Sequence, residues 1–391
     1  MRVLLVAPLQ SIATYGRIEW LHANSTNLSI LNTSPSVSID DYLNSYPINL
    51  TLANLPHSLC YSSRLFNLPP PFSDFIRSLL LRFPLLLKIL TYRYIRSLGL
   101  NDYDRIFFFY GPEALWFTYL FSLHAPTHKH LYTILNLLPS CVYIKPNCTF
   151  SWLRSNFTTE GVLHTMLSQL KTTYIAASQL MQDYMYSLYL DSSSSATCCI
   201  LDTFSQLSWS SISPPVNVIN PTSLSIIFLG APQRWGGDVI DNIEQTVFAL
   251  CSSGHRVTAG FTLNRAHHLF TSYPFFSNLE ALDGTLSNFA NEFDFALICY
   301  GYPYPSERFR STIPTRFFAS IAAGLPILLP RDHLPAVEIL VLKHNLGYVY
   351  SSISELTLLD QSSYLDYRRS VIIFRETYSP SNQSFPSHHY S

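Results

Sequence analysis

Pro314, Thr315 and Arg316 carry the clearest chemical signal in this chain. Pro314 fits the first position of a helix that runs from Thr315 to Ala323, and Gly324 followed by Pro326 closes it. Arg316 then falls in the first helical turn, where a cation opposes the positive end of the helix dipole at a cost of ~0.3–1 kcal/mol when exposed. An anion lying between the two removes that conflict. Backbone N–H groups at a helix start, together with a guanidinium fork, make a cradle for a phosphate or diphosphate. The alternative is an Arg316 that reaches out to solvent or pairs with a carboxylate. Tyr300, Glu307 and Arg310 lie on the segment feeding this helix and are the next residues placed to line such a pocket. A second, weaker anion site is the loop Gly230 to Gly237, where Gly230 lets the backbone approach a ligand and Arg234 could reach a phosphate; a plain strand-to-helix connection explains it equally well.

The run PTRFFASIAAGLPIL, Pro314 to Leu328, resembles the donor-site signature of GT-B glycosyltransferases: proline, a basic residue, a short helix ending in Ala-Ala-Gly, then proline and an apolar strand. NEFDFALICYGYP from Asn291 is similar to the family's strand ending in an apolar-Tyr pair, and HLPAVEILVLKHNLGYVY from His333 is similar to its glutamate-bearing helix and Gly-aromatic strand. The resemblance spans about residues 225–350 and is architectural before that. It implies an α/β chain of two Rossmann-like domains facing across a cleft, with a nucleotide-sugar diphosphate lying against the 315–323 helix. The donor-binding residues it implies are Gly230, Arg234, Tyr300, Arg310, Thr315, Arg316 and Glu338. Many retaining members carry a glutamate three residues after the basic position to hold the nucleotide ribose, and this chain has Ala319 there. Glu307 and Glu338 are the acidic substitutes.

The expected reaction is transfer of a sugar from a nucleotide sugar to a glycan or lipid-linked acceptor, in assembly of a surface polysaccharide or glycolipid. The nucleotide sugar is a co-substrate, and no cofactor is expected. A catalytic base, where one is needed, would come from Glu19, His22 or Glu113 in the first half, with Glu307 a further catalytic candidate. Ala319 leaves a second reading open: a non-catalytic GT-B paralogue that binds a nucleotide sugar or glycan as a partner subunit.

Other chemistries lack their signatures. No G-x-G-x-x-G follows Val6 and no G-x-x-x-x-G-K-[ST] occurs, which argues against a dinucleotide oxidoreductase or a P-loop kinase. H-E-x-x-H is absent, and the adjacent pairs His267-His268 and His388-His389 point apart on any regular element, so no metal site is expected and the transfer is read as metal-independent.

Phe75 to Leu100 places Arg77, Arg82, Lys88, Arg93 and Arg96 among leucines and aromatics without one acidic residue. That pattern suits an interfacial helix meeting anionic lipid headgroups, and equally a pair of cationic core-packing helices broken at Pro84.

The elements that must position these residues follow from apolar runs. Val3–Ala7, Arg105–Tyr110, Leu131–Leu135 and Thr173–Ala177 read as buried strands; Gly111 and Pro112 open a helix to about Leu123, and Ser178 N-caps another from Gln179. The pattern restarts with strand Ser225–Leu229, a helix capped by Asp238 with apolar Ile240, Ile243, Val247 and Leu250, and strand His255–Gly260. Strands alternating with helices predict parallel sheets. The expected division is an acceptor domain over 1–190, a Ser- and Pro-rich linker over 191–222, a donor domain over 223–363, a helix over 364–378 crossing back to the first domain, and a loose tail over 379–391.

Composition sets the outer bounds. The 391 residues suffice for two cores, and 48% are hydrophobic. Only 13% are charged, half the ~25% of ordinary domains, and the net charge of −1 gives no pull toward nucleic acid. Seven cysteines, with Cys198 and Cys199 adjacent, suit reduced thiols better than a disulfide framework. Met1–Pro8 reads as a first strand, and no run of ~20 uncharged apolar residues occurs, so the expected place is the cytoplasm, peripheral at the inner face of the membrane.

Overall fold

The computed structural model describes residues 1–9, 12–33, 51–54, 79–109, 111–125, 130–135, 172–183, 196–200, 218–229, 234–235, 238–239, 243–259, 268–272, 286–300 and 310–385. The chain forms two units, Met1–Leu201 together with Ser384–Ser391, and Asp202–Gln383.

In the first unit, β1 (Arg2–Ala7), β2 (Asn27–Asn32), β3 (Thr51–Asn54), β4 (Arg105–Phe108), β5 (His130–Leu135), β6 (Thr173–Ala176) and β7 (Ala196–Cys199) form one sheet in the order β3-β2-β1-β4-β5-β6-β7. Every pair is parallel. A central strand of such a sheet is covered on both faces, which is why Ile106, Phe107 and Phe108 are all fully buried instead of alternating. Helices α1 (Ile12–Ala23), α2 (Pro84–Ser97) and α3 (Gly111–Ser122) accompany it. Phe107 stacks on Tyr132 at 4.5 Å and meets Trp20 edge-on at 5.7 Å. Ser178 accepts from the Met181 N–H at 3.0 Å, the cap its sequence position predicts.

In the second unit, β8 (Ser225–Phe228), β11 (Arg256–Ala259), β12 (Phe270–Ser272), β13 (Phe295–Leu297), β14 (Ile327–Pro330) and β15 (Gly347–Tyr350) form a parallel sheet in the order β12-β11-β8-β13-β14-β15. A two-stranded ribbon, β9 (Arg234–Trp235) with β10 (Asp238–Val239), stands apart from it. With that ribbon set aside, the strands run third-second-first-fourth-fifth-sixth, the doubly wound Rossmann order. The helices are α4 (Glu244–Ser252), α5 (Leu286–Glu292), α6 (Thr315–Ala322), α7 (Pro335–His344) and α8 (Gln361–Thr377). β15 lies so close to β14 that a Cβ on Gly347 would sit 1.9 Å from the Ile327 carbonyl oxygen.

Four expectations differ from the structure. Cys198 and Cys199 of the expected linker belong to β7, the edge strand of the first sheet, because parallel pairing with β6 satisfies backbone groups that a linker would leave to water. The helix expected from Asp238 begins at Glu244 instead, since Asp238 pairs with Trp235 across a Gly-Gly step, a sequence that favours a tight hairpin over a helix start. Helix α8 packs within the second unit: its buried Arg368 donates to the Ala290 carbonyl at 2.8 Å and Arg375 to the Ala322 carbonyl at 3.0 Å. The return to the first unit is made by the tail, where Phe385 lies 5.2 Å from Trp20 and 5.5 Å from Phe107, with the Arg105 guanidinium 5.0 Å from its ring. An aromatic ring among Ser and Pro has one favourable place to go, and here it is that aromatic cluster.

Candidate functional site

The strand order of the second sheet reverses between β8 and β13, and ligands of doubly wound sheets bind outside the carboxyl ends of the strands at such a switch point. Phe228 ends β8, Tyr300 follows β13 by three residues, and both rings are buried. Between them lies Arg316, with its guanidinium carbon 4.4 Å from the Phe228 centroid and 5.3 Å from that of Tyr300. Stacking of this kind fixes the plane of the guanidinium, and a fixed plane is what planar, bidentate recognition depends on.

Local sequence explains how the arginine gets there. Pro314 is the N-cap of α6, one position earlier than expected, with φ −69° and ψ 149°, and no side chain caps the helix start. Phe317, Phe318 and Ile321 are buried on α6, with Phe317 edge-on to Phe374 of α8 at 6.3 Å, and this packing holds the first turn, where Arg316 sits, against Phe228 and Tyr300. At the other end Gly324, at φ 73°, allows the Leu325 N–H to bond the Ser320 carbonyl and the Gly324 N–H the Ile321 carbonyl. This paired closure drops the chain directly into β14.

His333, on the loop after β14, completes the group, and it is not among the site residues expected from the sequence. It is buried and bonds the backbone of Tyr300; burial holds its pKa below the ordinary histidine value, against the opposing pull of that bond and of Asp332. The loop is held by Glu338, which accepts from the Asp332 N–H at 2.9 Å and pairs with Arg331 at 3.5 Å, while Asp332 takes the left-handed conformation at φ 60°. Glu338 therefore acts here as a brace for the His333 loop. The available signal was positional: His333 follows a buried strand and precedes a proline-opened helix, which puts it at a carboxyl end.

The remaining candidates divide by place. Thr315 is partly buried at the start of α6, and Arg310 is exposed at the turn before it. Ala319 is buried in α6. Arg234 lies on β9, and Gly230 and Glu307 lie outside the described residues. In the first unit, Glu113 occupies the first turn of α3, directly after β4 and hence at the carboxyl end beside that sheet's own switch point between β1 and β4. Glu19 and His22 occupy the last turns of α1, near the amino ends of the strands, where the Thr26 N–H bonds the Met1 carbonyl. Among the described residues no cluster of three or more His, Cys, Asp or Glu side chains could hold a metal ion.

Solved structures share this architecture over nearly the whole chain. Anabaena Alr3699/HepE in complex with UDP and glucose superposes with a TM-score of 0.57 at 14% identity, covering 98% of this chain and 97% of that one. WaaG, a glycosyltransferase involved in lipopolysaccharide biosynthesis, gives 0.52 at 10% identity, with 97% of each chain covered. Arabidopsis thaliana UGT89C1 complexed with UDP-L-rhamnose gives 0.50 at 15% identity, over 96% and 94%.

The chain has the GT-B fold.

No family model matches the sequence, and no curated protein matches it. At these identities the likeness bears on fold, and function must be argued from the GT-B chain's own residues.

Proposed function

We propose that this protein is a glycosyltransferase that holds a nucleotide-sugar donor by its diphosphate against Arg316 and the start of α6. The observation that carries the reading is the Arg316 guanidinium stacked between Phe228 and Tyr300 at the switch point of the second sheet. In the proposed reaction the bond from the anomeric carbon to the diphosphate oxygen breaks, its electron pair leaving with the nucleoside diphosphate. An acceptor hydroxyl bonds to that carbon and gives its proton to a base. The developing negative charge falls where Arg316 and the helix dipole stabilise it without a metal ion. Glu113, at a carboxyl strand end, is better placed for the base than Glu19 or His22. A glycan or lipid-linked acceptor in surface polysaccharide or glycolipid assembly accords with the fold shared with WaaG.

A panel of nucleotide sugars in a thermal-shift assay tests this reading. A donor at 100 times its dissociation constant adds ~2.7 kcal/mol of stability, and slow release of UDP or GDP from the stabilising compound marks an enzyme. No shift with any member of the panel would remove the proposal. Stabilisation with no release and no transfer would instead favour a binding-only GT-B protein, the reading supported by Ala319 where a ribose-holding glutamate would stand.

A further inference from the structure

Helix α2 and the turn before it carry the densest group of exposed large apolar side chains among the described residues. Leu87, Thr91 and Ile95 form its buried face, and the Thr91 hydroxyl meets His124 Nε2 at 2.8 Å beside α3. On the opposite side Leu85 is 75% exposed, Ile89 66% and Leu90 63%, and Phe83 just before the helix is 56% exposed. Seven of the thirteen large hydrophobic side chains exposed among the described residues lie within 79–92, so the patch is a concentration and not scatter. Leu85, Ile89, Tyr92 and Arg96 recur at i, i+4, i+7 and i+11, which is one stripe of a helix.

Charge decides what this face fits. Arg82, Lys88, Arg93 and Arg96 are all exposed, and no acidic residue occurs from Phe75 to Asn101. The Arg96 guanidinium folds over Tyr92, 5.6 Å from its ring, and donates to its hydroxyl at 2.8 Å, leaving an amphipathic pair of the kind that sits at a lipid headgroup layer. A protein interface core is depleted in Lys and would need acidic partners for four cations in so short a span. Aliphatic side chains flanked by cations match instead a surface of anionic headgroups over hydrocarbon. No helix among the described residues is long and apolar enough to cross a membrane, so this face would lie on one.

We propose that α2 docks the first unit on an anionic membrane, with Leu85, Ile89 and Leu90 entering the acyl boundary and Lys88, Arg93 and Arg96 meeting phosphates. The inference stands on α2 alone and is independent of the donor reading. Co-sedimentation of the full chain with vesicles tests it. The protein should pellet with phosphatidylglycerol-containing vesicles at low salt, stay in solution with pure phosphatidylcholine, and be released as salt shortens the Debye length. Leu85→Gln with Ile89→Gln, and separately Lys88→Gln with Arg93→Gln and Arg96→Gln, should each lower the partition at least roughly tenfold. These side chains are exposed, so melting temperature and nucleoside-diphosphate affinity should stay at wild-type values, which separates failure here from failure of the donor site. No pelleting of wild type at low salt would overturn the proposal, as would a partition that neither variant changes. A concentration-dependent dimer dispersed by Leu85→Gln with Ile89→Gln, in a protein that ignores vesicles, would assign the face to a second copy and overturn it too.

Discussion

Replacing Arg316 by alanine separates the two jobs its position gives it. Toward a ligand, the guanidinium supplies charge-assisted hydrogen bonds, whose loss costs about 1.5–3 kcal/mol, or roughly 10- to 150-fold in affinity for a nucleoside diphosphate. Toward the protein, it supplies two ring contacts, at 4.4 Å and 5.3 Å, worth together about 1–2 kcal/mol. For a unit of this size that is a fall of roughly 2–8 °C in melting temperature. Arg316→Lys keeps the charge and loses the planar fork, so its affinity should lie between those of alanine and wild type. Isothermal titration with UDP and with GDP, alongside thermal melting by circular dichroism, reads both effects. If Arg316→Ala melts within that window and binds both nucleotides as tightly as wild type, the anion-cradle argument is refuted.

Three further outcomes are expected. Donor hydrolysis or transfer should persist in excess EDTA, because the proposed stabilisation of the leaving diphosphate uses a guanidinium and a helix start; loss on chelation that Mg²⁺ or Mn²⁺ restores would contradict this. Gly347→Ala should cost about 3 kcal/mol in urea unfolding, since its Cβ would collide with backbone atoms of Ile327, and a cost below about 1 kcal/mol would show that the strands can separate. Stability should fall as pH drops below the ordinary histidine value. Burial depresses the folded-state pKa of His255, whose Nδ1 accepts from the Leu224 N–H at 3.2 Å, so the unfolded chain binds the extra proton first. The slope is at most about 1.4 kcal/mol per pH unit for that proton, and urea midpoints for His255→Gln between pH 7.5 and 5 should decline less steeply than wild type.

Local signals in the sequence were dependable where one residue had one possible use. Gly324 ended α6 as its freedom at positive φ requires, Ser178 capped a helix, and the apolar run at Arg105 became the central strand of its sheet. What could not be read were choices settled by distant partners. Arg316 had a solvent-facing alternative until Phe228, far away in sequence, supplied a ring to stack on. Glu338 stands among the donor-binding residues that the resemblance implies, and its contacts with the Asp332 N–H and Arg331 on the loop before its helix were not legible in the sequence. His333 opened a run read only for its glutamate and its Gly-aromatic strand; the topology that brings β13 beside β14 places it against Tyr300. Asp238 has strong capping chemistry, and a competing hairpin took it.

Phe385 gives the first unit a schedule during synthesis. The strands of that unit are complete by Cys199, yet the ring that covers Trp20 and Phe107 leaves the ribosome only after the second unit has been made. At about 5–20 residues per second, the roughly 180 intervening residues take on the order of 10–40 s. For that interval the nascent first unit holds Trp20 and Phe107 without the Phe385 ring against them, so its aromatic cluster is completed only after the second unit has been made.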